Sequence, residues 1–218
     1  AKEGAKVVAV ARRAERLADL EKQSEKLPGE IVAFAGDISL EDTNAKMIDF
    51  AVSKFGRFDI LINNAGVMDN FAPVENLDTE LLQRLMAVDV YGPAWATRKA
   101  VNVFMKNKTK GSIVNVASVA GYNGGGGAAY VSSKAATIGI TKHTAMRFAA
   151  SHIRCNVVCP GNILTPMTAG MDYSNMDMEM FGAMSQHCDL KGCQSCTADD
   201  VAKVLLFFAS DDSLPITG

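Results

Sequence analysis

Ser112-Ile113-Val114-Asn115-Val116-Ala117-Ser118 is a β-branched run ending in a hydroxyl, and twelve residues beyond it stands Tyr130-Val131-Ser132-Ser133-Lys134. The first stretch reads as a buried strand. The second sets a phenol and an ammonium at i and i+4 on one helix face, with β-carbons roughly 5–6 Å apart. A strand leading into a helix over Ala128 to Ala149 is the building unit of an α/β fold. The same residues suggest a chemistry. A free tyrosine titrates near ~10 and is a poor base at neutral pH. The Lys134 charge is expected to favour the phenolate and bring Tyr130 toward the range where general acid/base catalysis works. Ser118, at the strand end, is placed to hydrogen-bond a substrate oxygen opposite Tyr130.

Outward from this unit the pattern repeats. Strands are expected over Lys6 to Ala11, Glu30 to Asp37, Phe58 to Ile62 and Ile153 to Val158, with helices over Arg13 to Lys26, Glu41 to Phe55, Thr79 to Lys106 and Asp199 to Ala209. Alternation of this kind argues for a doubly wound parallel sheet covered by helices on both faces, a three-layer α/β architecture in a single domain spanning residues 1–218. The stretch from Thr168 to Thr197 breaks the rhythm and reads as a lid excursion over about residues 166–197. Met167, Met171, Met176, Met178, Met180 and Met184 crowd it, with Tyr173 and Phe181. Methionine adapts to bulky apolar partners, so a hydrophobic alcohol or ketone is favoured over a bare sugar. Gly124-Gly125-Gly126-Gly127 suggests a mobile or open pocket wall.

Composition narrows the function classes. A net charge of −2 with scattered basic residues implies neither a nucleic-acid footprint nor a polybasic membrane patch, and leaves a small molecule as the expected partner. No apolar run approaches the ~20 residues that span a bilayer, and Ala1-Lys2-Glu3-Gly4 is no signal peptide, so a soluble cytoplasmic protein is expected. Five cysteines fit a reducing compartment better than a disulfide scaffold. Cys155 and Cys159 read as core. Cys188, Cys193 and Cys196 beside His187 are of ligand types that zinc accepts, yet no second C-x-x-C accompanies them. They read as free thiols, with a redox pair at Cys193 and Cys196 as the alternative, and no metal is expected.

Two further motifs complete a recognisable series. Asn63-Asn64-Ala65-Gly66 follows Ile60-Leu61-Ile62, and Pro160-Gly161-Asn162-Ile163-Leu164-Thr165 follows Cys155-Asn156-Val157-Val158-Cys159. Strand, Asn-Asn-Ala-Gly, strand, Ser, Tyr-x-x-x-Lys, strand, Pro-Gly, in this order and over essentially the whole chain, closely resembles the short-chain dehydrogenase/reductase family. The resemblance implies a Rossmann-like fold and hydride transfer between a nicotinamide dinucleotide and an alcohol or ketone. Ser118 and Tyr130 would donate to the substrate oxygen, and Lys134 would bind the nicotinamide ribose. Arg12, where an acid would select NAD, resembles the family's arginine for the 2′-phosphate and favours NADP. Asp37 and Ile38 would meet the adenine, while Asn63, Ala65 and Gly66 would lie under the cofactor, Gly66 because only hydrogen allows so close a backbone approach. Pro160, Gly161, Ile163 and Thr165 would hold the carboxamide side.

Departures from the family pattern carry their own expectations. The relay asparagine of V-N-x-x-G is replaced in Val88-Asp89-Val90-Tyr91-Gly92, and an ionised Asp89 paired with Lys134 would offset the effect of that lysine and alter the pH optimum. The family's Gly-rich first turn and last strand have no counterpart, so a longer parent chain is expected, and the strands at Val7 to Ala11 and Phe58 to Ile62 would lack their common neighbour in a 3-2-1-4-5-6-7 sheet. The long helices Thr79 to Lys106 and Ala128 to Ala149 suggest a homodimer or homotetramer.

Overall fold

The computed structural model describes residues 1–165, 173–187 and 195–218. Strands β1 (Lys6–Ala11) and β2 (Glu30–Ala35) pair in parallel, with Lys6 opposite Glu30 and Ala11 opposite Ala35. Helix α1 (Ala14–Ser24) makes the crossover between them and buries Leu17. A second parallel group has β4 (Gly111–Val116) between β3 (Ile60–Asn63) and β5 (Ile153–Val158). Residues 111 to 115 of β4 are all buried, the signature of a strand covered on both faces.

Helix α2 (Glu41–Phe55) joins the two groups. Its Met47 and Ile48 meet Leu61 of β3, Ile113 of β4, and Ile153 and Cys155 of β5 in one core cluster, against which Val10 of β1 and Phe34 of β2 also pack. β1 and β3 share no hydrogen-bonded neighbour, and Ile60 and Ile62 of β3 remain 40% and 44% exposed. Burial pushes the Cys155 thiol up to about 12, so it stays a neutral, inert part of this core.

The expected helix Thr79 to Lys106 is three pieces. Helix α3 (Thr79–Leu85) is capped by Asp78, which accepts the Leu81 N–H at 2.7 Å; a π-helical turn follows over Met86–Tyr91, then α4 (Gly92–Asn107). Such a turn is a short insertion between two helices whose apolar residues each read as helical, so it is easily read as one continuous helix. Helix α2 starts at Glu41, as expected. Its N-cap is Leu40, and the Ser39 hydroxyl donates instead to Asp37 at 2.7 Å.

Beyond β4 come the short helix α5 (Ala120–Asn123) and the long α6 (Ala128–Phe148). The excursion after β5 carries structure of its own. Helix α7 (Met178–His187) lies within it, and its base is clasped by the parallel pair β6 (Ile163–Leu164) and β7 (Cys196–Thr197). Helix α8 (Ala198–Ala209) opens with a capping box in which Thr197 and Asp200 exchange hydrogen bonds, at 3.1 and 3.2 Å. Its far end is fastened to β5 by the buried Arg154, whose guanidinium donates to the carbonyls of Phe208 at 2.9 Å and Ser210 at 2.8 Å and to the Ser213 hydroxyl at 2.6 Å.

Candidate active site

The C-terminal ends of the strands face a cavity of about 870 Å³. Ser118, just past β4, and Tyr130 and Lys134 on α6 line it, together with Gly66, Pro160, Gly161, Ile163 and Thr165. Residues drawn from four separate stretches of chain therefore converge on one space. Arg12, Asp37, Ile38, Asn63, Ala65 and Asp89 are not part of its wall.

Ser118 and Tyr130 face the same cavity, with Ser118 Oγ accepting the Ala120 N–H at 3.2 Å, while Lys134 Nζ lies 5.4 Å from the centre of the phenol ring. Lys134 is engaged elsewhere. Its ammonium stands 3.3 Å from Asp89 Oδ2, with the two side chains only 7% and 0% exposed. Asp89 Oδ1 accepts the Val67 N–H at 2.9 Å, and Oδ2 accepts the Ser133 hydroxyl at 3.3 Å. The π-helical turn also presents the Asp89 carbonyl sideways, where Thr137 of α6 donates to it at 2.8 Å. Burial raises the Asp89 carboxyl above its ordinary range, against the opposing pull of the Lys134 charge and these donors.

The pairing of Asp89 with Lys134 is the one expected from Val88-Asp89-Val90-Tyr91-Gly92, and only the expected lowering of Tyr130 is corrected. The phenol is raised, not lowered: burial is the main cause, the Ser118 hydrogen bond opposes it, and the charges of Asp89 and Asp69 add to it. Lys134 spends its charge on a nearer partner than the phenol. Gly66, which lines the cavity, has a second neighbour to make room for. A β-carbon there would stand 3.0 Å from Lys134 Nζ and 3.3 Å from Asp89 Oδ1, so the glycine makes room for the ion pair.

Asn63 donates to Asn115 Oδ1 at 2.8 Å, and Asn115 in turn donates to Thr141 of α6 at 2.8 Å. Its side chain is thus committed to a polar ladder joining β3, β4 and α6, and Asn64 lines the cavity. Alternation along a strand explains the division, since adjacent side chains point to opposite faces. At the ends of β1 and β2, Asp37 accepts the Ser39 N–H at 2.9 Å, and its carboxyl is lowered first by that bond, then by the Ser39 hydroxyl and, more weakly, by the charge of Arg12. The Ile38 carbonyl accepts from Asn44 at 2.7 Å.

Most of the remaining wall is apolar, with Asn123 and Asn162 as polar members. Met68 and Phe71 come from the loop after β3, Val119 from the start of α5, and Met180, Phe181 and Met184 from α7. Met178 is 57% exposed and lies off the cavity, as does Met176, while Met167, Met171 and the Tyr173 side chain lie outside the described residues. The tetraglycine stretch does form part of the wall: Gly124, Gly125 and Gly126 line the cavity, Gly124 exposed and Gly126 buried, while Gly127 is buried off it. Cys196 is an exposed free thiol; Cys188 and Cys193 lie outside the described residues. Among the described residues no group of three or more His, Cys, Asp or Glu could hold a metal ion, and no helix is long and apolar enough to cross a membrane.

Known proteins resemble this chain in sequence and in fold. A family model described as Enoyl-(Acyl carrier protein) reductase matches residues 1–218. The 3beta-hydroxysteroid dehydrogenase 2 of Eggerthella lenta is 36% identical over 216 residues, which is 99% of this chain and 82% of that protein. Among solved structures, ElxO with NADP bound matches at a TM-score of 0.84 and 28% identity, covering 99% of this chain and 86% of that one. The 3-ketoacyl-(acyl-carrier-protein) reductase of Brucella melitensis, complexed with NADH, also matches at 0.84 and 28%, covering 99% and 85%.

Proposed function

Because the chain belongs to the short-chain dehydrogenase/reductase family, whose members are NAD(P)-dependent oxidoreductases, we propose that it interconverts a bulky apolar secondary alcohol and its ketone, with NADP as the preferred cofactor. The observation that carries this reading is the convergence of Ser118, Tyr130 and Lys134 on one largely apolar cavity. The donor set suits a nicotinamide dinucleotide: Lys134, lining the cavity, would offer its ammonium to ribose hydroxyls, Ile163 and Thr165 of the same lining would hold the carboxamide, and Arg12 and Asp37, just past β1 and β2, would meet the adenosine end. When bound, the nicotinamide supplies or accepts the hydride.

The chain's own residues handle the proton and the orientation. Ser118 and Tyr130 donate to the substrate oxygen, and Tyr130 gives up its proton as negative charge develops there. In the reverse direction Tyr130 recovers the proton from the alcohol. Lys134 fixes the position of the ribose while Asp89 holds the ammonium. Met68, Phe71, Val119, Met180, Phe181 and Met184 surround the rest of the substrate and keep water away from the reacting oxygen. A steroid-like or acyl ketone suits such walls, in keeping with the names of two of the similar proteins.

Oxidation of NADPH against a panel of steroid, acyl, sugar and small ketones tests this function. Turnover confined to the apolar members supports it, and tight NADPH binding without turnover would favour the rival reading of a regulatory, non-catalytic family member. For cofactor choice, Arg12→Ala should raise the Michaelis constant for NADPH by about tenfold or more, the scale of one lost charged hydrogen bond, and leave that for NADH nearly unchanged. Equal effects on the two cofactors would remove the arginine from the selection. Assembly belongs to the same proposal: Tyr91, Met105 and Met146 remain 47%, 46% and 85% exposed on the π-helical turn, α4 and α6, where a second copy could cover them. Sedimentation of a monomer at micromolar concentration would exclude that contact.

A further inference from the structure

The helix that carries Tyr130 and Lys134 starts without a cap of its own. Its N-cap is Gly127, which has no side chain to offer the free N–H groups of the first turn. A residue far away in sequence does so instead. Asp69 Oδ2 accepts the Tyr130 N–H at 2.9 Å, and Asp69 Oδ1 accepts the Phe71 N–H at 3.1 Å. A β-carbon on Gly127 would lie 2.2 Å from Asp69 Oδ2, so the glycine at the N-cap is what lets the carboxylate in. Three residues beyond Asp69, the Ala72 carbonyl accepts the Ala128 N–H at 2.9 Å. The opposite side of the same loop meets the substrate wall: the Asn70 carbonyl accepts the Asp177 N–H at 3.1 Å, and the Phe71 ring packs edge-on against Phe181 of α7 at 5.8 Å. Phe71 holds a φ of 61°, a left-handed conformation that a bulky residue adopts only when its surroundings enforce it.

We infer that Asp69 is a positioning residue for the reaction, anchoring the backbone of Tyr130 and placing a negative charge behind the phenol, within a loop that also touches the substrate-facing helix α7. This rests on the proposed role of Tyr130 as proton donor. A carboxylate at the first turn of α6 is favoured by the free N–H groups and the helix dipole, which suits it to fix the helix end. Its charge also belongs to the set that tunes the phenol. Asp69 from the loop and Asp89 from the π-helical turn both oppose ionisation of Tyr130, Ser118 favours it through a hydrogen bond, and Lys134 on α6 is held by Asp89.

Two substitutions separate position from charge. Asp69→Ala removes the acceptor and the charge; Asp69→Asn keeps an acceptor and removes the charge alone. Asp69→Ala should lower kcat by about ten- to a hundredfold, the scale of a small misplacement of a reacting group, with the dissociation constant for NADPH unchanged, and Asp69→Asn should recover most of that loss. The ionisation of Tyr130 is read without turnover, from the ultraviolet tyrosinate absorbance of each protein minus that of its Tyr130→Phe counterpart. Both Asp69 variants should ionise at lower pH than the parent in this difference titration. If Asp69→Ala keeps the parent kcat, or if the tyrosinate titration does not move in either variant, the inference is overturned. If no substrate is turned over by any of the proteins, the titration decides alone, so failure of the proposed reaction and failure of the role of Asp69 are told apart.

Discussion

Tyr130→Phe lowers kcat for carbonyl reduction by about 10²–10⁴-fold, the usual contribution of a positioned proton donor, and leaves NADPH binding within a factor of a few. The substitution removes one oxygen from a half-buried ring and keeps the shape that α6 packs against. The parent should also show a pH dependence that the variant lacks. The phenol is raised mainly by burial, with Asp89 and Asp69 adding to the shift and Ser118 opposing it. A raised phenol stays protonated through neutral pH, so the donating form is fully present there, and reduction should fall only as pH rises through its displaced pKa. Alcohol oxidation needs the phenolate and should rise with pH over that same interval. Steady-state kcat measured in both directions across alkaline pH, for parent and variant, checks the assignment. A variant that keeps the parent's alkaline limb would show that another group moves the proton.

The fold and the meeting of Ser118, Tyr130 and Lys134 were legible because each rests on a local pattern: β-branched runs, helical spacing, and glycine or proline punctuation between them. The boundaries of β1, α2, β5 and α6 follow from those patterns to within a residue or two. What local pattern does not carry is the energetic choice between partners. Lys134 stands one turn from Tyr130 in the sequence, and spacing assigns its charge to the phenol; the Asp89 that replaces the relay asparagine pointed to a rival pairing, which the 3.3 Å contact bears out, but local spacing does not carry the burial that then raises the phenol. Asn63 and Asn64 form a single motif in sequence yet part in the structure, one to a polar ladder and one to the cavity. Asp69 carried no signal at all, because a cap supplied from another element leaves only an unremarkable glycine at the helix start. Arg12 and Asp37 stand at the strand ends where their motifs place them, and their part in cofactor choice is for the Arg12→Ala experiment to decide.

Lys134→Met should destabilise the fold by about 3–5 kcal/mol at neutral pH, the scale of stranding one member of a buried ion pair. The lysine is closely packed, and methionine retains much of its stem, so lost packing is a minor part. The larger cost is Asp89, whose side chain is fully enclosed and loses its ion-pair partner. The Val67 N–H and the Ser133 hydroxyl still serve the carboxylate, which places the effect toward the lower end of the range. The pH dependence follows from the direction of the shift. Asp89 is already raised by burial with Lys134 opposing, and without the lysine it rises further. A carboxyl raised in the folded state favours folding below its unfolded pKa and loses that contribution as pH climbs through the folded value. The deficit of the variant should therefore be greatest at neutral pH and shrink toward the ordinary carboxylate range. Asp89→Asn placed in the Lys134→Met background should recover most of the stability, because an amide still accepts from Val67 and carries no charge to strand. Urea unfolding of the parent, the single variant and the double variant at acid and neutral pH checks both statements. A deficit that neither falls with acid nor yields to Asp89→Asn would mean that Lys134 supports the fold through its packing and not through its charge.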